Sequence, residues 1–168
     1  ILTAKLNNYL SSNKETFPNA EIKEFYSSFS GSEVADAKEF IENHMINYPD
    51  DKIIIYGYSM GGVRANDLSR NLEWEYDVQL EITVDAYCPP SSLISRGLTI
   101  PTNVKRNDNY YIEDITSVTL AHGGENKSES KQTLVRNTVI NGETHKSISK
   151  YTNEWVFGSI KKELQENK

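Results

Sequence analysis

Residues 52–72 read KIIIYGYSMGGVRANDLSRNL. The apolar run over residues 52–56 does not alternate with polar residues. A strand of that kind is buried on both faces, as in the interior of a parallel sheet. Val63, Leu68 and Leu72 recur at helical spacing after it. Between strand and helix lies Gly57-Tyr58-Ser59-Met60-Gly61, a G-x-S-x-G pattern. With glycine and serine each near 7% usage, the bare pattern arises by chance in about one chain in twenty of this length. Its flanks carry the information. A buried strand ending just before a serine, with a helix starting just after it, makes a sharp turn that holds the hydroxyl out at the carboxyl end of the sheet. Gly57 and Gly61 are the positions expected to lack room for a Cβ. The Met60 amide, at the helix N-terminus, is placed to donate to a developing oxyanion. The plain alternative is a structural Gly-Ser-Gly crossover turn. A phosphate-binding loop is disfavoured, because no lysine follows the glycines.

Outward from this stretch the pattern is regular. Residues 1–10 carry Leu2, Leu6, Tyr9 and Leu10 at helical spacing, and residues 20–26 read as a weak strand rich in Glu and Lys. Ser32 precedes a helix with Glu33 and Asp36 in its first turn and Val34, Ala37, Ile41, Met45 and Tyr48 on one stripe, closed by Pro49. Val78, Leu80, Ile82 and Val84 alternate with Gln79, Glu81 and Thr83, which predicts a strand ending at Asp85. Residues 103–112, 117–121 and 133–140 suit extended backbone, and residues 152–164 a closing helix weakened slightly by Gly158. Strand–helix–strand–helix order predicts an α/β fold with a mostly parallel sheet and flanking helices.

Length and composition narrow the function. A chain of 168 residues is expected to form one domain with a substantial core. The lone Cys88 excludes an internal disulfide and a multi-cysteine zinc site. The net charge of −6, without a basic cluster, argues against nucleic acid as a partner. No apolar run reaches the roughly 18 residues a membrane span needs. The sequence starts at Ile1 rather than Met, so the lack of a visible leader says nothing about compartment. Oligomeric state is not legible.

IIIYGYSMGG resembles the nucleophile elbow of the α/β-hydrolase superfamily, in its lipase and esterase branch. The resemblance implies a reduced α/β-hydrolase fold, a small-molecule ester or lipid substrate, an acyl-enzyme on Ser59, no metal or other cofactor, and the chain order serine, acid, histidine. Three histidines are present. His44 precedes the serine on a helix. His122, in LAHGGEN, is similar to an oxyanion motif of some esterases but falls on the wrong side of the elbow. His145 lies after the last expected strand and before the closing helix, where the family keeps its general base. Asp85 in TVDAYCPP is the favoured acid, because a carboxylate ending an apolar strand needs a reason to be there. Asp108 and Asp114 are the alternatives, one strand later. Residues 86–102 and 107–116 are the expected pocket loops; Tyr110 and Tyr111 could line such a pocket, with core packing the expected use of at least one ring. The family also has a strand before the elbow whose loop donates a second oxyanion amide. The first helix here is similar to the one following that strand, so this donor is expected outside residues 1–168. Two functions stay open: a serine hydrolase of carboxylic esters, and a non-catalytic binding protein on the same scaffold.

Overall fold

The computed structural model describes residues 1–88, 97–113 and 122–166. Helices α1 (Leu2–Ser12) and α2 (Glu33–Asn47) precede strand β1 (Ile54–Tyr58). Helix α3 (Met60–Asn71), strand β2 (Val78–Val84) and the short β3 (Thr99–Ile100) follow. The second half contains β4 (Val104–Tyr111), β5 (Lys127–Ser128), β6 (Leu134–Val139), α4 (Ile148–Tyr151) and α5 (Asn153–Gln165). The main sheet is four-stranded in the order β1-β2-β4-β6, and every neighbouring pair is parallel. The short β3 and β5 form a separate parallel pair. The protein is thus an α/β fold with a parallel sheet flanked by helices.

Helices cover both faces of the sheet, but β1 is not buried on both as expected. Ile55 and Gly57 are buried, Ile54 and Tyr58 are half-buried and Tyr56 is exposed, because β1 is the outermost of the described strands. On one face Leu80, Ile82 and Val84 pack with Leu6 of α1 and with Ile148, Val156 and Ile160 of α4 and α5. On the other, Ile53 and Ile55 pack with Ala37 of α2 and with Ala65, Leu68 and Leu72 around α3. The alternation in β2 therefore does not mean one wet face. Glu81 and Thr83 are fully buried, and their side chains join a polar layer with Asn107 and Asn109 of β4.

Other expectations change, and one falls outside the described residues. Residues 20–26 form no strand. The stretch 117–121 lies outside the described residues. Residues 107–111 belong to β4 rather than to a loop, and Tyr110 packs in the core against Trp155. No strand precedes β1 among the described residues, so β1 is an edge of the sheet. The Ile53 carbonyl and the Ser59 amide bond to Gln79 and Val84. By alternation, the backbone groups of Ile54, Tyr56 and Tyr58 point outward, where no described strand meets them. A groove of about 1000 Å³ is lined by that edge and by residues 20–27, which form neither helix nor strand. No helix among the described residues is long and apolar enough to cross a membrane.

Glu81 yields a stability test. Its carboxylate accepts from Ser69 Oγ at 2.5 Å and Asn107 Nδ2 at 3.1 Å, yet burial outweighs these bonds and pushes its pKa up to about 7. Between the ordinary glutamate value of 4.5 and about 7, the native state keeps a proton that the unfolded chain has released. Stability from this group is therefore complete below 4.5, falls as pH rises through that window and is level above it. Glu81→Gln should match the wild type near pH 4 and exceed it above pH 7 by up to about 3 kcal/mol in urea unfolding.

Candidate active site

Ser59 follows the last residue of β1 and directly precedes α3. Its backbone has φ 57 and ψ −128, a region that costs a residue with a Cβ roughly 1–3 kcal/mol. The turn is held by Ser59 N–H donating to Val84 O at 2.9 Å and by Ser59 O accepting from Gly62 N–H at 2.9 Å and Tyr87 N–H at 3.1 Å. Gly57 is required as expected, since a Cβ there would stand 2.1 Å from Gly61 O. The second glycine differs. A Cβ on Gly61 would meet only Ser27 Oγ, at 4.0 Å, whereas one on Gly62 would stand 2.7 Å from the Ala86 Cβ. Close passage of α3 over the end of β2 therefore rests on Gly62. Met60 is the first residue of α3, so its N–H has no acceptor within the helix.

Ser59 Oγ lies 2.8 Å from His145 Nε2, and His145 Nδ1 lies 2.7 Å from Asp85 Oδ2. Asp85 is fully buried and its other oxygen, Oδ1, accepts from Gly123 N–H at 2.7 Å and Ile112 N–H at 3.3 Å. A buried carboxylate needs such donors to stay charged. Its φ of 44 is left-handed, a region aspartate tolerates better than most residues. The backbone there is tied by Asp85 N–H to Tyr110 O at 2.7 Å.

His145 is held from several sides. Tyr58 stacks on the imidazole with ring centroids 5.3 Å apart and 27° between planes, and its hydroxyl donates to the His145 carbonyl. Burial and then the Asp85 charge raise the Tyr58 pKa, so the phenol remains a donor. Tyr87 meets the imidazole edge-on at 6.1 Å. Thr144 and Ser147 lock the loop around His145, with Thr144 N–H donating to Ser147 Oγ at 2.9 Å and Ser147 N–H to Thr144 O at 3.1 Å.

The other candidates lie elsewhere. Asp108 is buried within β4 beside Arg106, with Nε to Oδ2 at 3.4 Å, and near Arg136 at 4.0 Å. Asp114 lies outside the described residues. His44 pairs with Asp51 at 2.9 Å and with Glu21 at 3.5 Å. His122 is buried beside the acid, its Nδ1 donating to Gly123 O at 2.8 Å. Of the expected pocket loops, residues 89–96 and 114–116 fall outside the described residues. Tyr58 and Gly123 were not legible as site residues, and Tyr87 was legible only as part of the expected pocket loop 86–102. Tyr58 stands within the elbow motif, which was the only available signal for it. Among the described residues no cluster of His, Cys, Asp and Glu is arranged to hold a metal ion. No family model, curated protein or solved structure matches this chain.

The strain at Ser59 is measurable without any substrate. At an unstrained site glycine is less stabilising than alanine by about 0.5–1 kcal/mol. At φ 57 the order should reverse: Ser59→Gly is expected to exceed Ser59→Ala by about 1 kcal/mol in denaturant unfolding. Equal stabilities, or alanine ahead, would mean the elbow is relaxed.

Proposed function

We propose that this chain is a serine hydrolase of the α/β-hydrolase type that cleaves carboxylic esters through an acyl-enzyme. The observation that carries the reading is the continuous hydrogen-bonded line Ser59–His145–Asp85, with 2.8 Å and 2.7 Å contacts, in chain order serine, acid, histidine. A serine hydroxyl is a weak nucleophile near neutral pH and needs a base. His145 Nε2 takes the Ser59 proton as Oγ attacks the ester carbonyl. Asp85 Oδ2 accepts from Nδ1–H, which selects the tautomer with Nε2 free and stabilises the imidazolium. The imidazolium then gives its proton to the departing alkoxide as the tetrahedral intermediate collapses. Water, deprotonated by the same imidazole, attacks the acyl-enzyme, and the proton returns to Oγ as acid is released.

The Met60 amide is the oxyanion donor this reading assigns. A second donor would approach from the outer side of β1, the edge that no described strand covers. Loss of one such donor costs about 10²–10³-fold in kcat. That open edge also supports a second reading, a binding protein that keeps the scaffold without efficient catalysis.

Labelling by a fluorophosphonate probe separates the two. The wild type should label covalently and Ser59→Ala should not. His145→Ala should slow labelling by about 10³-fold or more, and Asp85→Asn by a comparable factor, because the amide favours the wrong imidazole tautomer. Hydrolysis of p-nitrophenyl butyrate should fall in parallel. Equal labelling of wild type and Ser59→Ala, or none of either, defeats the hydrolase and leaves the binding protein.

A further inference from the structure

The layer of amide side chains beneath the acid has no part in the chemistry described so far. Asn126 and Asn109 are almost fully buried, as are Thr83 and Asn107. Their polar groups are closely matched. Thr83 Oγ1 donates to Asn109 Oδ1 at 2.9 Å and accepts from Asn126 Nδ2 at 3.0 Å. Asn126 Nδ2 also reaches Asn107 Oδ1 at 3.0 Å, and Asn126 Oδ1 accepts from Leu98 N–H at 2.9 Å. Asn109 Nδ2 donates to Asn137 Oδ1 and to Gly124 O, both at 2.8 Å. Asn137 closes the set, accepting from Asn126 N–H and donating to Asn126 O, each at 2.9 Å.

What these bonds grip is residues 122–126, a segment without helix or strand. It is fastened at the Gly124 carbonyl and at both backbone groups of Asn126. Between those anchors and His122, Gly123 delivers its N–H to Asp85 Oδ1 at 2.7 Å. The passage is tight. A Cβ on Gly123 would stand 2.8 Å from Ala86 N and 2.9 Å from Asp85 C. An apolar layer of equal volume would bury as much surface, but it would leave Gly124 O and the Asn126 backbone unpaired and would not set the height of Gly123 over the carboxylate. Amides pair in few arrangements, so a saturated cluster fixes position as well as composition.

We infer that Thr83, Asn109, Asn126 and Asn137 are positioning residues: together they hold the 122–126 segment so that the Gly123 amide clamps Asp85 Oδ1 and aims Oδ2 at His145. This rests on the hydrolase reading for its kinetic consequences and on geometry alone for its structural one. A displacement of about 1 Å in a reacting group can cost about 10²-fold, so loosening the clamp should act on rate rather than on binding.

The test uses Asn126→Ala, Asn109→Ala and the milder, shape-preserving Thr83→Val. Asn103→Ala is the control. Asn103 is also buried, but it bonds to Ser69 O and Tyr76 O, away from the 122–126 segment. Three readouts apply: stability in urea, fluorophosphonate labelling with p-nitrophenyl butyrate kinetics, and the proton NMR resonance of His145 Nδ1–H, drawn downfield by Asp85 and identified by its loss in His145→Ala. The two asparagine variants should label about 10-fold or more slowly and lose kcat with KM within about twofold. Their Nδ1–H resonance should move upfield or broaden. Thr83→Val should show a smaller shift in the same direction, and it keeps the test open if an asparagine variant does not fold. Asn103→Ala should lose comparable stability with labelling and resonance unchanged. Folded variants with the resonance and labelling of the wild type would overturn the proposal. So would losses that follow stability equally in Asn103→Ala. If the wild type does not label at all, the hydrolase reading fails, and the resonance alone decides whether the cluster positions Asp85.

Discussion

The register of β1 against β2 is the constraint on which the rest of the site depends. Tyr58 stands opposite Val84 as the last paired residues of two parallel neighbours. The next residue on each strand is Ser59 and Asp85, and these two are the non-glycine residues with positive φ among those described. Parallel pairing puts both carboxyl ends on one edge of the sheet. The Ser59 amide on Val84 O, at 2.9 Å, then ties the two ends together. A slip of one residue would turn each side chain to the other face and separate the serine from the acid.

Two backbone strains thus share one anchor, and the packing around it restrains both. Gly57 and Gly62 let α3 lie against β1 and the end of β2, while apolar side chains on both sheet faces hold the strands in register. The imidazole arrives from much later in the chain. It is seated by the Tyr58 ring and by the Thr144–Ser147 turn, so the β1 end that presents the serine also braces its partner.

The polar layer on β2 and β4 is the least expected feature energetically. Buried hydrogen bonds contribute only about 1 kcal/mol each, and an unsatisfied group costs more than that. A sheet face carrying Glu81, Thr83, Asn107 and Asn109 is therefore kept at some expense to stability. Glu81 is the clearest case, because its raised pKa records a carboxylate that burial disfavours. The same layer pairs the Gly124 carbonyl and both backbone groups of Asn126 where an irregular segment passes across the top of the sheet.

Much of this was legible locally. The unbroken apolar run, the G-x-S-x-G turn and the helical spacing after it specify a strand–turn–helix, because each depends on residues within a few positions of one another. The alternation at residues 78–84 likewise marked β2, and the chain order placed His145 after the last strand. The segment 20–26 misled, since a strand needs a neighbour to pair with and composition cannot supply one. The choice among Asp85, Asp108 and Asp114 depended on which carboxylate the sheet order brings to His145, a relation between residues 60 positions apart. The need for Gly62 rather than Gly61 arose from how closely α3 crosses Ala86. Local pattern determined that a serine would stand on a sharp turn at a sheet edge. Only tertiary packing decided which acid, which histidine and which glycine meet it, because those are distances through space between segments that sequence spacing does not relate.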